Sequence, residues 1–193
     1  MVAWKTAAGG IAEAFAHVLA LVQHLGAAGG DAIVVAADGR HGKPGSLQEM
    51  QYGAGSIALR IGAGDVIAKY LGGASSASQF VDHFRAEGEQ YDYQWEERWV
   101  RDEGYLKIVP EAVGRLFKAT ASNASAIDFF CLPATISGIA AAVAKKLKIK
   151  PEAVVDNLAA RCGDTGVAHP LMMLGLALET AKPGQKILLV GFG

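Results

Sequence analysis

The sequence predicts an α/β fold with a mostly parallel sheet, and three observations carry that expectation. Short apolar-rich runs, AIVVAA at 32–37, AIDFFCL at 126–132 and KILLV at 186–190, read as strands. Between them, Ile136, Ile139, Ala140, Val143 and Leu147, and later Leu171, Leu174 and Leu178, repeat at the spacing of one helix face. The chain of 193 residues is 51% hydrophobic and 19% charged, which fits a packed domain and excludes disorder or a collagen-like repeat.

Taken in order, Ile11, Phe15, Val18 and Val22 recur at three and four and predict a helix over Lys5–Gln23, buried on more than one side. The run Ala32–Ala37 follows Gly29, Gly30 and Asp31 and is expected to be a strand covered on both faces, with DGRHGKPGS as the loop behind it. Alternation of Ile57, Leu59 and Ile61, then the stretch Val66–Leu71 beyond a Gly-Asp turn, predicts a hairpin. The segment 75–104 changes character. It is half charged from Asp82 to Glu103 and concentrates aromatics, so it reads as a surface excursion whose rings either pack on the core or line a ligand site.

Leu106, Val109, Val113, Leu116 and Phe117 then predict a helix that stops at Ser122-Asn123. A strand over Ala126–Leu132 ends at Pro133. The helix marked by Ile136 to Leu147 closes on Lys145-Lys146, a charge favourable at a helix C-terminus. Pro151 opens a short helix, Pro170 occupies a first helical position, and Pro183-Gly184 breaks that last helix before the final strand.

A balance of 18 basic and 19 acidic residues leaves no electrostatic footprint for nucleic acid or an anionic membrane. The two cysteines, Cys131 and Cys162, have neither disulfide-framework nor metal-knuckle spacing, and reduced thiols in a cytoplasm are expected. No targeting or transmembrane segment is expected at the start, where Glu13, His17 and His24 interrupt the apolar positions. No metal site is expected either, because these two histidines lack carboxylate or thiol partners at ligand spacing and His41 and His83 read as isolated loop residues.

In order along the chain, AWKTAAGG, IVVAAD, GAGSIAL, EGYLKI, IDFFCLPA and CGDTGVAHPLMMLGLALETAKPGQKILLVGFG resemble the thiolase superfamily. The branch they resemble holds 3-hydroxy-3-methylglutaryl-CoA synthase, ketoacyl synthase III and the related ketothiolase subunits. The resemblance implies a layered αβαβα fold, here incomplete, with 1–73 as the end of the N-terminal half and 74–193 as the C-terminal half. It also implies that a first βαβ portion and a last strand are missing, so exposed sheet edges and obligate association are expected.

For chemistry, the resemblance implies acyl transfer from a coenzyme A thioester to a cysteine at a helix N-terminus, then Claisen condensation or its reverse, with no covalently bound cofactor. Trp4 stands at that nucleophile position, and an indole cannot attack a thioester. The cysteine lies upstream, or the match is displaced by a few residues, or the chain is a non-acylating relative. In the strand-end segment that carries the family's histidine and asparagine, Phe130-Cys131-Leu132-Pro133-Ala134 puts Cys131 in the histidine place. Cys131 is then a small buried hydrophobe or a polar group facing the acyl pocket. Asp164-Thr165-Gly166 matches the family's Asn-Thr loop with a carboxylate for the amide, and His169-Pro170 resembles the Gly-His-Pro element of degradative thiolases.

His169 is therefore the foremost catalytic candidate, at a helix N-terminus that favours neutral imidazole, with Asp164 as its orienting partner. The alternative is a histidine that only satisfies a loop carbonyl. Trp95, Trp99, Tyr105, Pro133 and Gly166 are the implied substrate-binding residues, with a subunit contact as the rival role for the aromatics. Arg40, Lys43 and Arg60 either meet CoA phosphates or form solvated faces. The implied partners are acyl-CoA, a thiolase-fold subunit in a homo- or hetero-oligomer, and a small OB-fold, zinc-containing protein. Two functions stand side by side: an acyl-CoA acyltransferase subunit, and a non-catalytic thiolase-like subunit that binds a catalytic homologue.

Overall fold

A computed structural model describes residues 2–6, as backbone, and 30–193 with side chains. Eight strands are described: β1 (Val2–Thr6), β2 (Ala32–Gly39), β3 (Ala54–Ile61), β4 (Gly73–Ala77), β5 (His83–Phe84), β6 (Tyr93–Gln94), β7 (Phe129–Cys131) and β8 (Ile187–Gly191). Their helical companions are α1 (Leu47–Gln51), α2 (Glu97–Trp99), a π-helical segment Val100–Ile108, α3 (Val109–Ala119), α4 (Ile139–Leu147), α5 (Ala159–Cys162) and α6 (His169–Thr180).

The main sheet has the order β4-β1-β8-β7, and every pairing in it is parallel, as the alternation of strands and helices predicts. Because neighbouring strand residues face opposite ways, β8 serves two cores: Leu188 and Val190 join one with Phe130, Val113 and Val143, and Leu189 joins the other with Cys131, Leu171 and Met173. The first core lies under α3, α4 and the π segment. The second lies under α6, whose His169, Pro170, Leu171, Met173 and Ala177 are buried. Ile57 and Leu59 of β3 close the second core from beyond, so α6 is sandwiched between the parallel sheet and the antiparallel ribbon β2–β3. Helix layer, sheet, helix and ribbon are four successive layers of the expected αβαβα stack.

Several expectations change. The predicted helix over Lys5–Gln23 lies outside the described residues except for Lys5 and Thr6, which end β1, and His17 and His24 are likewise outside them. Trp4, assigned to a helix start, is instead mid-strand, paired with Ser75 and Gly191. The backbone of β1 pairs in parallel with β4 over five residues and with β8 over three. Ala32–Ala37 is not covered on both faces: Ile33 is 72% and Val35 66% exposed on the outer side of the ribbon. The predicted hairpin partner Val66–Leu71 is not a strand, and β3 pairs with β2 instead, because the full register from Ala32↔Ile61 to Gly39↔Ala54 satisfies eight residues on each side. The strand at 126–132 shrinks to Phe129–Cys131 behind a 3₁₀ turn, Ala124–Ala126, capped by Asn123. The boundary expected at residue 73 falls on the first residue of β4.

The aromatic segment is more ordered than a loop. Glu96 accepts the backbone N–H of Arg98 and Trp99 at 3.1 and 2.9 Å and starts a continuous helical run through to Ala119. These bonds, that of Trp99 first, hold the Glu96 carboxyl below its ordinary range. Within that run, the π segment brings Gly104 against the rings of Phe80 and Phe192. A Cβ there would lie 2.6 Å from Phe192 and 2.9 Å from Phe80.

Gly104→Ala is accordingly expected to cost about 1–3 kcal/mol through overpacking of buried rings, read as a lower melting temperature. Replacing Ile33 and Val35 together with threonine is expected to reduce self-association in light scattering while the far-UV circular dichroism stays unchanged.

Candidate functional site

Beside the C-terminal ends of β7 and β8 lies a cavity of about 50 Å³, lined by Arg40, Tyr52, Asp82, His83, Gln94, Val100, Tyr105, Pro133, Ala134, Thr135, Asp164, Gly166 and Phe192. The structure thus brings together five of the residues singled out in the sequence: Arg40, Tyr105, Pro133, Asp164 and Gly166. Cys131, His169, Trp95 and Trp99 are not in its wall.

The loop after β2 organises this site. Arg40 is 11% exposed and reaches three partners: Asp92 through Nε at 3.2 Å, Asp164 through Nη1 at 2.5 Å, and the Tyr52 hydroxyl through Nη2 at 2.7 Å. Burial opposes its charge, but Asp164, Tyr52 and Asp92 outweigh burial and hold its pKa above the ordinary arginine value. Burial also raises the Tyr52 phenol, against the pull of Arg40. Arg40 is thus committed to internal partners, which corrects the expectation that it meets a CoA phosphate. Arg60 lies on the surface, 76% exposed, and pairs with Asp31, which is the solvated face that its sequence context also allows. Nothing in DGRHGKPGS distinguishes Arg40 from a solvated cation, since its partners lie 52 and 124 residues away.

Asp164 is fixed on every side. Its main chain bonds Gln51 and Gly53, its Oδ2 meets Arg40, and its Oδ1 accepts the Gly166 N–H at 3.0 Å. Gly166 adopts φ +55, a left-handed conformation that favours glycine, and the next N–H, of Val167, donates to Asp38. Asp38 and Arg40, two residues apart at the end of β2, therefore clamp the Asp164-Thr165-Gly166 turn from one side.

His169 is 3% exposed. Its Nδ1 accepts the Thr165 N–H at 3.1 Å, so the remaining ring proton sits on Nε2 and donates to the Asn157 carbonyl at 2.6 Å. Asp164 Oδ1 is 3.8 Å from Nδ1, beyond hydrogen-bond reach, so Asp164 is not the orienting partner. Asn157 in turn donates to the Ala134 carbonyl at 3.2 Å. The imidazole ties the Asp164 turn to the Pro133 loop, and both of its nitrogens are used in doing so.

Cys131 is fully buried at the end of β7, its thiol donating to the Met173 carbonyl at 3.7 Å, and burial pushes its pKa up to about 12. Cys162 bonds backbone carbonyls at the end of α5. Trp95 and Trp99 line a separate, open groove of about 400 Å³ with Gln79, Phe80, Val81 and Phe84. Rings join the two spaces: Trp99 stacks on Phe80, Phe80 meets Phe192 edge-on, and Phe192 stacks on Tyr105 with centroids 4.2 Å apart.

Sequence reasoning also missed His83, which lies in β5 and on the cavity wall rather than in an isolated loop. Its signal was the adjacent Asp82, whose Oδ1 accepts the His83 backbone N–H at 2.9 Å and lies 3.1 Å from Nδ1. Among the described residues no helix is long and apolar enough to cross a membrane.

Residues 117–193 match the family described as 3-Oxoacyl-[acyl-carrier-protein (ACP)] synthase III C terminal. The chain is 32% identical over 166 residues to the hydroxymethylglutaryl-CoA synthase of Pyrobaculum neutrophilum and 30% identical over 166 residues to that of Caldivirga maquilingensis, covering 83% of this chain and 46% of the relative in each case. It therefore spans about half the length of the curated relatives it matches. Among solved structures, a 3-oxoacyl-(acyl carrier protein) synthase III from Pseudomonas aeruginosa superposes with a TM-score of 0.72 at 23% identity, over 91% of this chain and 60% of that one. An HMG-CoA synthase complexed with CoA gives 0.66 at 18%, over 91% and 49%. These likenesses establish the fold, and the layered stack with its parallel sheet is theirs. The matched sequences support the resemblance to the thiolase-like superfamily, on the side of hydroxymethylglutaryl-CoA synthase and ketoacyl synthase III.

Proposed function

We propose that this chain is a non-acylating thiolase-fold subunit of an acyl-CoA acyltransferase, binding a short acyl thioester beside a catalytic homologue whose cysteine carries the acyl group. One observation carries the reading: neither of the chain's two cysteines lines the cavity. Cys131, at the family's histidine place, is a buried thiol with a strongly raised pKa, and a thiol that stays protonated is a poor nucleophile. At the amide place, Asp164 has one carboxylate oxygen engaged by Arg40 and the other by the Gly166 N–H.

In this reading Claisen condensation or thiolysis runs on the partner's sulfur, and this chain supplies the Pro133 and Asp164 loops as a rigid wall. His169 acts by positioning those loops, as its two backbone bonds support. CoA as the carrier rests on the likeness to a synthase complexed with CoA. A thiolase-fold subunit is the partner required, a small OB-fold, zinc-containing protein would join the same assembly, and the cytoplasm suits two free thiols. The division at residue 73 is proposed on the same footing.

Incubation with radiolabelled acetyl-CoA is expected to leave this chain unlabelled, alone or with its partner, and label on Cys131 or Cys162 overturns the reading. Iodoacetamide at pH 8 is expected to modify Cys162 well before Cys131, read by peptide mass. His169→Ala, which leaves the Thr165 N–H and Asn157 carbonyl unpaired in a buried setting, is expected to destabilise the fold by about 2–4 kcal/mol in urea unfolding. A catalytic base with no bracing role would instead leave the unfolding midpoint unmoved.

A further inference from the structure

The open groove of Trp95 and Trp99, apart from the cavity, is walled by rings that stay in contact with water. Trp95, Trp99 and Phe84 are about half exposed, and the lining of Gln79, Phe80, Val81, Phe84, Trp95 and Trp99 holds a single polar side chain. The rings are nevertheless fixed. Trp99 stacks on Phe80 with centroids 6.0 Å apart, Phe84 stacks on Tyr93 across the β5–β6 pair at 5.6 Å, and Trp95 is tilted by 59° against Phe84. The Trp95 N–H donates to the Asp82 carbonyl at 2.8 Å, which holds its backbone beside β5. A contiguous exposed patch of this kind, built on a rigid base, is the surface a ligand uses.

Charge around the groove selects what it holds. Between residues 82 and 103, eight acidic side chains stand against three arginines. Each arginine is already engaged by a carboxylate: Arg85 by Asp92 at 3.6 Å, Arg98 by Glu96 at 3.4 Å and Arg101 by Asp102 at 2.8 Å. Among the described residues, no cation is seated over Trp95 or Trp99. Glu96 stands between the two tryptophans in the chain, its carboxylate anchored on the Trp99 N–H at 2.9 Å, and Glu97 beside it is exposed with no ion pair among the described residues. Open aromatic faces attract a cation, and the surplus carboxylates repel an anion.

We propose that the groove of Phe84, Trp95 and Trp99 binds a free, small quaternary ammonium compound of the choline type, held by the tryptophan faces and by the Glu96 and Glu97 carboxylates. Hydrogen bonding sets the class of cation. An ammonium or a guanidinium brings several N–H donors, and a lining whose one polar side chain is Gln79 would leave most of them unpaired. A trimethylammonium group has no N–H to satisfy and lays methyl groups on the rings. A compound carrying its own phosphate or carboxylate meets the acidic surround and is disfavoured, which excludes phosphocholine headgroups in favour of a simple ammonium alcohol or its ester. The site goes beyond the function proposed above and does not rest on it.

The test is titration of the full chain with choline, read by tryptophan fluorescence and by calorimetry, beside 3,3-dimethylbutan-1-ol, which has the same shape without the charge. Saturable choline binding is expected, at least tenfold tighter than that of the neutral alcohol and weakened severalfold when salt rises from about 0.02 to about 0.5 M. Trp95→Leu is expected to abolish saturation, whereas Trp95→Phe, which keeps an aromatic face, retains part of it. Glu96→Gln combined with Glu97→Gln leaves an oxygen for the Trp99 N–H and is expected to weaken choline at least threefold while the far-UV circular dichroism stays unchanged. Equal binding of choline and the neutral alcohol, choline binding that survives Trp95→Leu, or no saturation up to about 50 mM choline overturns the site, whatever the acylation result.

Discussion

Most of the candidate site depends on one ion pair, Arg40 with Asp164. The guanidinium is nearly buried and is shared with Asp92, so three segments far apart in sequence, the end of β2, the residue before β6 and the loop before α6, meet at one charge. Removing one member of such a group leaves a buried charge uncompensated, which costs more than the pair itself contributes. The arrangement also decides chemistry. A carboxylate engaged by Arg40 and by the Gly166 N–H has little capacity left for a substrate, and an arginine between two carboxylates has little left for a phosphate. The wall can be rigid because its strongest groups are spent on one another.

His169 extends this framework to the other side of the cavity. Through Thr165 it grips the Asp164 turn, and through Asn157 it reaches the Ala134 carbonyl. A histidine before Pro170 thus does for the two loops what Arg40 does for the two carboxylates, and it does so as a neutral ring. Among the described residues, the Nε2 of His83 and the hydroxyl of Tyr105, both on the cavity wall, hydrogen-bond to no other residue.

How far the sequence could be read follows from the range of the forces involved. Periodicity is local, so the helices over 109–119, 139–147 and 169–180 and the strand at 187–191 were legible within a few residues, and Pro170 marked the start of α6 to within one position. The all-parallel order of the sheet followed from the alternation of elements. Strand pairing is not local, and the Val66–Leu71 error shows it: a second apolar stretch across a plausible turn looked like a partner, whereas β2, across a longer connection, offered a full register. Of the site, the loops carrying Pro133, Asp164 and Gly166 could be found by their likeness to a known order of motifs. The internal role of Arg40 and the cavity position of His83 could not, because they depend on distant segments: two carboxylates for one, and a place on the cavity wall for the other.

The π segment has a consequence for how this wall is encoded. A π turn holds one residue more than an α turn at about the same rise, so it behaves as an insertion accommodated inside a helix rather than in a loop. Tyr105 reaches the cavity, and Gly104 meets the rings, from that register. The aromatic wall is therefore specified partly by a count of residues, and not only by their identity. Point substitution leaves such a count intact, but deleting a single residue between Val100 and Ile108 would let the helix relax to α geometry and turn the phenol away by roughly a quarter of a revolution.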